Sequence, residues 1–175
     1  MRCVGYCRRA ECRFRYYLEQ IGIDLGKGSI LDVACGPVSL ACLYQDVHGH
    51  DNSSMFVENL ASRGISVRLA DITELDYPPK SFCYAVSFNP PMKPFKMRDN
   101  LQNDIKKFLE DMLSIAQERV IIWSVPLIHS LPSEYNHLLE RKGKNYVVYR
   151  AKDYPANPAK CSLTEQHGSP LSATI

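Results

Sequence analysis

Short apolar runs alternate along this chain with longer segments in which apolar positions recur at helical spacing. The clearest run is Ser-Ile-Leu-Asp-Val-Ala-Cys-Gly at 29–36, where a strand breaks at a glycine and leads into a helical segment. Further strands are predicted at 46–51, 65–70, 82–88, 119–125 and 145–151. Helices are predicted at 8–21, 38–45, 54–63, 100–118 and 133–141.

This alternation predicts an α/β fold with a doubly wound, mostly parallel sheet of about six strands and helices on both faces. At 175 residues the chain is long enough for one sizeable core. We expect a single domain over residues 1–153, which opens with a basic, aromatic helical segment at 1–21. At 154–175 proline, serine and threonine replace the periodicity, and we expect this tail to be poorly ordered.

Composition excludes several kinds of protein. No apolar run approaches the ~20 residues of a membrane-spanning helix. No secretory signal follows the N-terminal arginines, so a cytoplasmic protein is expected. Most of the seven cysteines are scattered, which favours reduced thiols. The spacing of Cys3, Cys7 and Cys12 matches no zinc or iron–sulfur pattern, so no metal site is predicted.

Four predicted strands end on an acid or an amide, namely Asp32, Asp51, Asp71 and Asn89. Because the carboxyl ends of parallel strands share one edge of a sheet, these side chains are expected to line one crevice. The spacing from Gly36 to Asp51 suits an acid that accepts hydrogen bonds from ribose hydroxyls. Asp71 would then reach the exocyclic amine of an adenine.

On these residues the chain resembles the class I S-adenosylmethionine-dependent methyltransferases, over about residues 10–125. The first motif is Ile-Leu-Asp-Val-Ala-Cys-Gly at 30–36, the ribose acid lies in Gly-His-Asp at 49–51, and the adenine acid lies in Ala-Asp-Ile at 70–72. Ser-Phe-Asn-Pro-Pro at 87–91 corresponds to the fourth motif. The resemblance implies a Rossmann-like fold shortened at the C-terminus and S-adenosylmethionine as the cofactor. From the resemblance and from the position of these residues along the chain, we expect ten residues to bind the cofactor. They are Tyr17, Asp32, Ala34, Cys35, Gly36, Asp51, Asn52, Asp71, Ile72 and Asn89.

The Asn-Pro-Pro motif is similar to that of methyltransferases that act on planar amino groups. Two prolines fix the backbone and leave the Asn89 amide and nearby carbonyls pointing into the crevice, where they would orient an acceptor amine. The predicted catalytic residues are Asn89, Pro90, Pro91 and Phe95. Phe95 is included because the residue after the motif is Met92, so Phe95 is the first aromatic that could stack on the acceptor.

Departures from the family pattern leave alternatives open. Ala34 and Val38 replace the first and last glycines of the usual Asp-x-Gly-x-Gly-x-Gly, and Pro37 removes an N–H donor from the turn. The alternatives are a non-catalytic or partner-dependent binding protein with this fold, and a small-molecule methyltransferase. A dinucleotide-binding oxidoreductase ranks below them, since a lone glycine cannot cradle a pyrophosphate.

We expect methyl transfer to a nitrogen of RNA, DNA or a protein. Arginines and aromatic residues interleave near the N-terminus, a composition that suits phosphate contacts and base stacking, although the net charge is only +2. Few residues follow the fifth strand, fewer than two further strands and their connections usually need. A partner subunit is therefore expected to help recognise the substrate unless the acceptor is small.

Overall fold

The structure is a computed structural model that describes residues 4–26, 28–91 and 100–155, with side chains from residue 11 onward. The helices are α1 (Val4–Ile21), α2 (Ser54–Ala61), α3 (Leu101–Ile115) and the single turn α4 (Val125–Ile128). The strands are β1 (Ile30–Val33), β2 (Val47–Asp51), β3 (Val67–Leu69), β4 (Phe82–Phe88), β5 (Ala116–Trp123), β6 (Leu139–Lys142) and β7 (Tyr146–Arg150). Short 3-10 helices cover Leu40–Cys42, Ser133–Leu138 and Ala151–Asp153.

The strands form one seven-stranded sheet in the order β3-β2-β1-β4-β5-β7-β6. β1 pairs in parallel with β2 and β4, and parallel pairing continues to β3 on one side and β5 on the other. β7 is antiparallel to both β5 and β6, so the sheet is mixed and has one strand more than the six predicted. The chain winds from β1 to β3 and then returns through β4, which places a topological switch point between β1 and β4.

Neighbouring residues of the central strands belong to two separate buried clusters. Leu31 of β1 lies in a cluster with Phe108 of α3, whereas the adjacent Ile30 lies in a cluster with Phe14 of α1. All four residues of β1 are buried. Because successive side chains of a strand point to opposite sides, this strand is buried through both sets of side chains, as the continuous apolar run predicts for a central parallel strand.

The helix predicted at 38–45 is wrong, since the structure has only the 3-10 turn at Leu40–Cys42. Contacts with a distant residue set the conformation of this segment, because the Ser39 hydroxyl and the Leu40 amide both donate to the Asp32 carboxylate. The turn is also fixed from within, because the Ser39 hydroxyl accepts a hydrogen bond from the Ala41 amide at 3.3 Å.

The helix predicted at 133–141 is also wrong, because a 3-10 turn at Ser133–Leu138 leads directly into β6. β6 and β7 form a hairpin closed by Gly143, whose amide donates to the Tyr146 carbonyl at 2.9 Å. A short hairpin needs far fewer residues than a parallel crossover. The two further strands therefore fit after β5, which corrects the expectation of a fold shortened at its C-terminus.

Other boundaries differ by a few residues. The helix predicted at 100–118 ends at Ile115, and β5 starts there at Ala116 rather than at 119. The predictions for Phe95 and for most of the tail at 154–175 lie outside the described residues. No helix in the described part of the chain is long and apolar enough to cross a membrane.

Candidate functional site

The carboxyl ends of β1, β2 and β4 meet at the switch point of the sheet. Asp32 of β1 lies in register with Gly49 of β2 and with Val86 of β4. The β1 and β4 ends are also tied directly, because the buried Ser87 hydroxyl donates to the Val33 carbonyl at 3.0 Å. This edge is where open α/β sheets bind their ligands.

The Asp32 carboxylate is buried and organises the turn that follows β1. Its Oδ2 atom accepts hydrogen bonds from the Ser39 hydroxyl and from the Leu40 amide, both at 2.8 Å. Burial raises the pKa of Asp32 to about 6, against the opposing effect of those hydrogen bonds, and the nearby Asp51 charge adds to the rise. The site therefore contains a carboxylate whose negative charge is poorly solvated.

Asp51, at the end of β2, holds the loop after β1. Its Oδ2 atom accepts from the Gly36 amide at 2.8 Å, and its Oδ1 atom accepts from the Ser53 amide at 2.9 Å. The Cys35 amide adds a backbone link by donating to the His50 carbonyl at 3.2 Å. Asp51 thus joins the first loop to the start of α2.

The loop after β1 uses backbone conformations that glycine favours. Ala34 has φ +56° and Gly36 has φ +64°. A Cβ atom added at Gly36 would meet no atom within 4 Å, so this backbone faces open space. Ala34 thus has a positive φ, which alanine disfavours and which the usual glycine at this position would adopt without strain. Val38 is buried in the cluster that contains Phe14, so most of its side chain is packed in the core.

His50 joins β2 to the loop after β3. Its Nε2 atom lies 3.0 Å from the Asp71 carbonyl, and its Nδ1 atom lies 3.1 Å from the Tyr77 hydroxyl. Since a carbonyl only accepts, the proton is on Nε2 and Nδ1 accepts from the tyrosine. Burial lowers the pKa of His50, which keeps the ring neutral. The Asp71 side chain accepts at 2.9 Å from the Thr73 amide, which fixes the same loop.

Asn89 stands immediately after β4 in a left-handed conformation, with φ +55°. Its amide nitrogen atom Nδ2 donates to the Tyr17 hydroxyl of α1 at 3.1 Å, and its backbone amide donates to the Trp123 carbonyl at 2.6 Å. The Tyr17 ring stacks on Trp123 with centroids 4.3 Å apart, and Trp123 in turn stacks on Tyr146 at 5.5 Å. α1 thereby delivers an aromatic side chain to the Asn-Pro-Pro segment.

Two cavities of about 260 Å³ each open on this edge, and both are lined by Ala34, Gly36 and Asn89. The first, which we call the α1 cavity, is further lined by Arg13, Phe14, Tyr17, Asp32, Cys35, Pro37, Val38 and Phe88. The second, the α2 cavity, is further lined by His50, Asp51, Asn52, Ser53, Phe56, Ala70, Ile72 and Pro91. Because the two cavities share Ala34, Gly36 and Asn89, they adjoin at the loop after β1, and we call the pair the groove.

The groove gathers most of the residues that the sequence singled out. Tyr17, Asp32, Ala34 and Cys35 line the α1 cavity, and Asp51, Asn52, Ile72 and Pro91 line the α2 cavity. Asp71 is not among the lining residues of either cavity, although its neighbour Ile72 is. Pro90 is buried beside Asn89.

The sequence analysis assigned no role at this site to four residues that the structure places in or beside the groove, namely Arg13, His50, Phe56 and Trp123. Phe56 could have been noticed as an aromatic residue in the first turn of α2, shortly after Asp51. Trp123 carries a signal too, since it ends the fifth strand on the same edge as Asp51 and Asn89.

Cys35 is the one thiol of the described residues that lines this groove. Burial, with the Asp32 and Asp51 charges nearby, raises its pKa, so it stays a protonated thiol and a poor nucleophile. Among the described residues, no group of three or more His, Cys, Asp or Glu side chains could hold a metal ion. Cys3 and the Cys7 side chain, which belong to the N-terminal cysteine group, lie outside the described residues.

No family model and no curated protein matches this chain. Solved structures do share its fold. A TehB-like SAM-dependent methyltransferase from Corynebacterium glutamicum aligns with a TM-score of 0.51 at 14% identity, over 83% of this chain and 98% of that one. A Thermoplasma acidophilum protein aligns with a TM-score of 0.53 at 16% identity, over 78% and 81%.

Other similar structures are longer than this chain. The structure of WbdD aligns with a TM-score of 0.55 at 13% identity, over 86% of this chain and 41% of that one. The chain likewise spans 53% of a SAM-dependent methyltransferase from Thermotoga maritima, at 19% identity and a TM-score of 0.48. At these identities the likeness concerns the fold, and it confirms that the α/β architecture is the one found in SAM-dependent methyltransferases.

Proposed function

We propose that this protein is an S-adenosylmethionine-dependent methyltransferase that acts on a nitrogen of a nucleic acid or protein. The observation that carries the proposal is the groove, whose two cavities are both lined by Gly36 on the carboxyl edge of a methyltransferase-like sheet. The open space around an added Cβ atom at Gly36 agrees with this, because a ligand in the cavities could approach the backbone there.

The α2 cavity suits the adenosine half of the cofactor. Asp51 is at its wall with two carboxylate oxygens that accept hydrogen bonds, so ribose hydroxyls could replace or share its contacts with backbone amides. Phe56 and Ile72 provide apolar surface for the adenine ring. The polar and apolar walls thus match the two parts of a nucleoside.

The α1 cavity suits the methionine half. Its lining is more polar than that of the α2 cavity. Asp32 and the backbone of the first loop bound it. When bound, S-adenosylmethionine supplies an electrophilic methyl group on a sulfonium. Asn89 lines both cavities, so its position matches the point where an acceptor would meet that methyl group.

Asn89 would orient the acceptor rather than take its proton. Because the side-chain nitrogen donates to the Tyr17 hydroxyl, the amide oxygen is the atom left to accept a hydrogen from an acceptor amine. A second hydrogen bond to a backbone carbonyl would keep the nitrogen lone pair aimed at the methyl group. The neutral His50 is engaged on both ring nitrogens, so it acts in the wall of the groove and not as a base.

An Asp51→Ala variant tests the cofactor site. Loss of charge-assisted hydrogen bonds predicts that S-adenosylhomocysteine binds more weakly by roughly 1.5–3 kcal/mol, measured by calorimetric titration. Asp46→Ala is the matched control, because Asp46 is an exposed acid just before the opposite end of β2. Equal affinities in the Asp51 variant and the unaltered protein would remove Asp51 from the site.

The acceptor is tested by transfer of a labelled methyl group from S-adenosylmethionine to total RNA, DNA or protein. We expect label in one of these polymers, and Asn89→Ala should lower the rate of transfer while cofactor affinity is nearly unchanged. Label confined to small molecules would overturn the polymer acceptor. Tight cofactor binding with no transfer to any amine would instead support a non-catalytic protein.

A further inference from the structure

Arg13 is the one strongly basic side chain that lines the α1 cavity. It lies on α1, one turn before Tyr17, and is exposed to solvent. Within the described part of the chain no carboxylate forms a salt bridge with it. Arg15 on the same helix differs, since its guanidinium pairs with Glu11 at 3.0 Å and borders a separate surface groove.

The α1 cavity therefore presents opposite charges at different depths. Both residues line the cavity, but Asp32 is only 2% exposed, whereas Arg13 is exposed to solvent. A ligand with a cationic and an anionic group on one carbon matches this arrangement when the cation points inward. The α-ammonium and α-carboxylate of an amino acid are such a pair.

We propose that Arg13 binds the α-carboxylate at the amino-acid end of the cofactor, with the α-ammonium directed toward Asp32. The inference rests on the proposed function and deepens it, because it assigns a specificity residue for that end of the ligand. A guanidinium offers parallel N–H donors that fit the two oxygens of a carboxylate, and a bidentate pair is stronger than a single hydrogen bond. An ammonium beside Asp32 would also compensate the poorly solvated charge of that side chain.

Two ligands separate this contact from the rest of the site. S-adenosylhomocysteine carries the amino-acid end, whereas 5′-methylthioadenosine shares the adenosine and the sulfur but lacks both charged groups. Replacement of Arg13 should therefore lower the affinity for S-adenosylhomocysteine and leave the affinity for 5′-methylthioadenosine nearly unchanged. A general effect of positive charge on the surface would not make this distinction.

The experiment is calorimetric titration of Arg13→Ala, Arg13→Lys and the control Arg15→Ala with both ligands. We expect Arg13→Ala to lower the affinity for S-adenosylhomocysteine by about 10- to 100-fold and the affinity for 5′-methylthioadenosine by less than about twofold. Arg13→Lys should lie between Arg13→Ala and the unaltered protein, because a lysine keeps the charge without the fork of donors. Arg15→Ala should bind both ligands as the unaltered protein does.

Unchanged affinity of Arg13→Ala for S-adenosylhomocysteine, or an equal loss for both ligands, would overturn the inference and leave the proposed function standing. A matching loss in Arg15→Ala would also overturn it, since a non-specific charge effect would then explain the result. If the unaltered protein bound neither ligand, the proposed function would fail as well. Equal melting temperatures of the unliganded variants establish that each one is folded.

Discussion

At the scale of single residues, the groove depends on backbone conformations as much as on side chains. Ala34, Gly36 and Asn89 all have positive φ at the edge of the sheet. For the two residues with a Cβ atom this conformation costs roughly 1 kcal/mol each. The loop thus keeps a glycine-like conformation at Ala34 although alanine replaces the glycine. The replacement lowers stability but does not change the course of the backbone.

Gly36→Ala should separate folding from binding. The positive φ predicts a loss of about 1–2 kcal/mol in the free energy of unfolding, and the new methyl group would occupy the space in which the cofactor is proposed to bind. We expect binding of S-adenosylhomocysteine to fall by at least about tenfold, measured by titration calorimetry.

Gly64→Ala provides the matched control for this substitution. Gly64 follows α2 with φ +78° and also has open space around an added Cβ, but it lies away from both cavities. The two variants should lose similar stability in urea unfolding, and only Gly36→Ala should lose affinity. Normal binding by Gly36→Ala would show that the first loop does not contact the cofactor.

At the scale of elements, one lysine connects three parts of the chain. Lys80 donates through Nζ to the carbonyls of Leu113, Ala116 and Ala151, at 3.2, 2.9 and 2.7 Å. These carbonyls belong to the end of α3, the start of β5 and the turn after β7. Desolvation lowers the pKa of Lys80, as expected for a cation that has exchanged water for backbone oxygens.

Lys80→Met should destabilise the fold, and because Lys80 lines neither cavity, it should leave the groove unchanged. It removes three charge-assisted hydrogen bonds while keeping the aliphatic length, and we expect the free energy of unfolding to fall by about 2 kcal/mol. The exposed Lys152, on the turn after β7, is the control, and its replacement by methionine should change stability by less than about 0.5 kcal/mol. Chemical denaturation monitored by circular dichroism would measure both; equal stabilities would contradict the role of Lys80.

The elements also show what the sequence pattern can and cannot predict. The apolar run at 82–88 coincides with β4, because its ends are marked by a turn on one side and Asn-Pro-Pro on the other. The segments 38–45 and 133–141 have helical spacing, yet they form 3-10 turns, since their conformation is set by Asp32 and by pairing with β7 rather than by local propensity. Local periodicity carries no information about such distant partners.

The same distinction holds for the site. Asp32, Gly36, Asp51 and Asn89 could be identified because each ends a strand or a turn, and parallel strands bring those ends together. Arg13 could not be assigned in this way, because its place at the cavity depends on how α1 packs over the sheet. Their roles toward a cofactor remain predictions that the proposed variants test.

At the scale of the whole molecule, the buried Asp32 couples stability to pH. Its pKa is about 6 in the folded protein, against an ordinary value of 3.8 for this carboxyl group, so the folded state binds more protons between these two values. Stability arising from this group therefore rises as pH falls from about 7 to 4, by up to about 3 kcal/mol. The neutral His50 opposes it, since protonation of that ring favours the unfolded state.

Asp32→Asn removes the Asp32 contribution and keeps an oxygen that can accept from Ser39 and Leu40. Relative to the unaltered protein, the variant should gain about 2.5 kcal/mol of stability as pH rises from 4 to 7.5. Any effect of the amide that is the same at both pH values does not change this difference. Urea unfolding of both proteins at these two pH values measures that difference. A stability difference that does not change with pH would contradict the raised pKa.

The central claim for the molecule is that its sheet edge binds S-adenosylmethionine. The most direct test is calorimetric titration of the unaltered protein with S-adenosylhomocysteine and S-adenosylmethionine. Saturable binding of one ligand per chain at micromolar concentration, about −8 kcal/mol, is the predicted result. No binding heat at millimolar ligand would contradict the account, because the fold would then have kept its groove without the cofactor that the groove is proposed to hold.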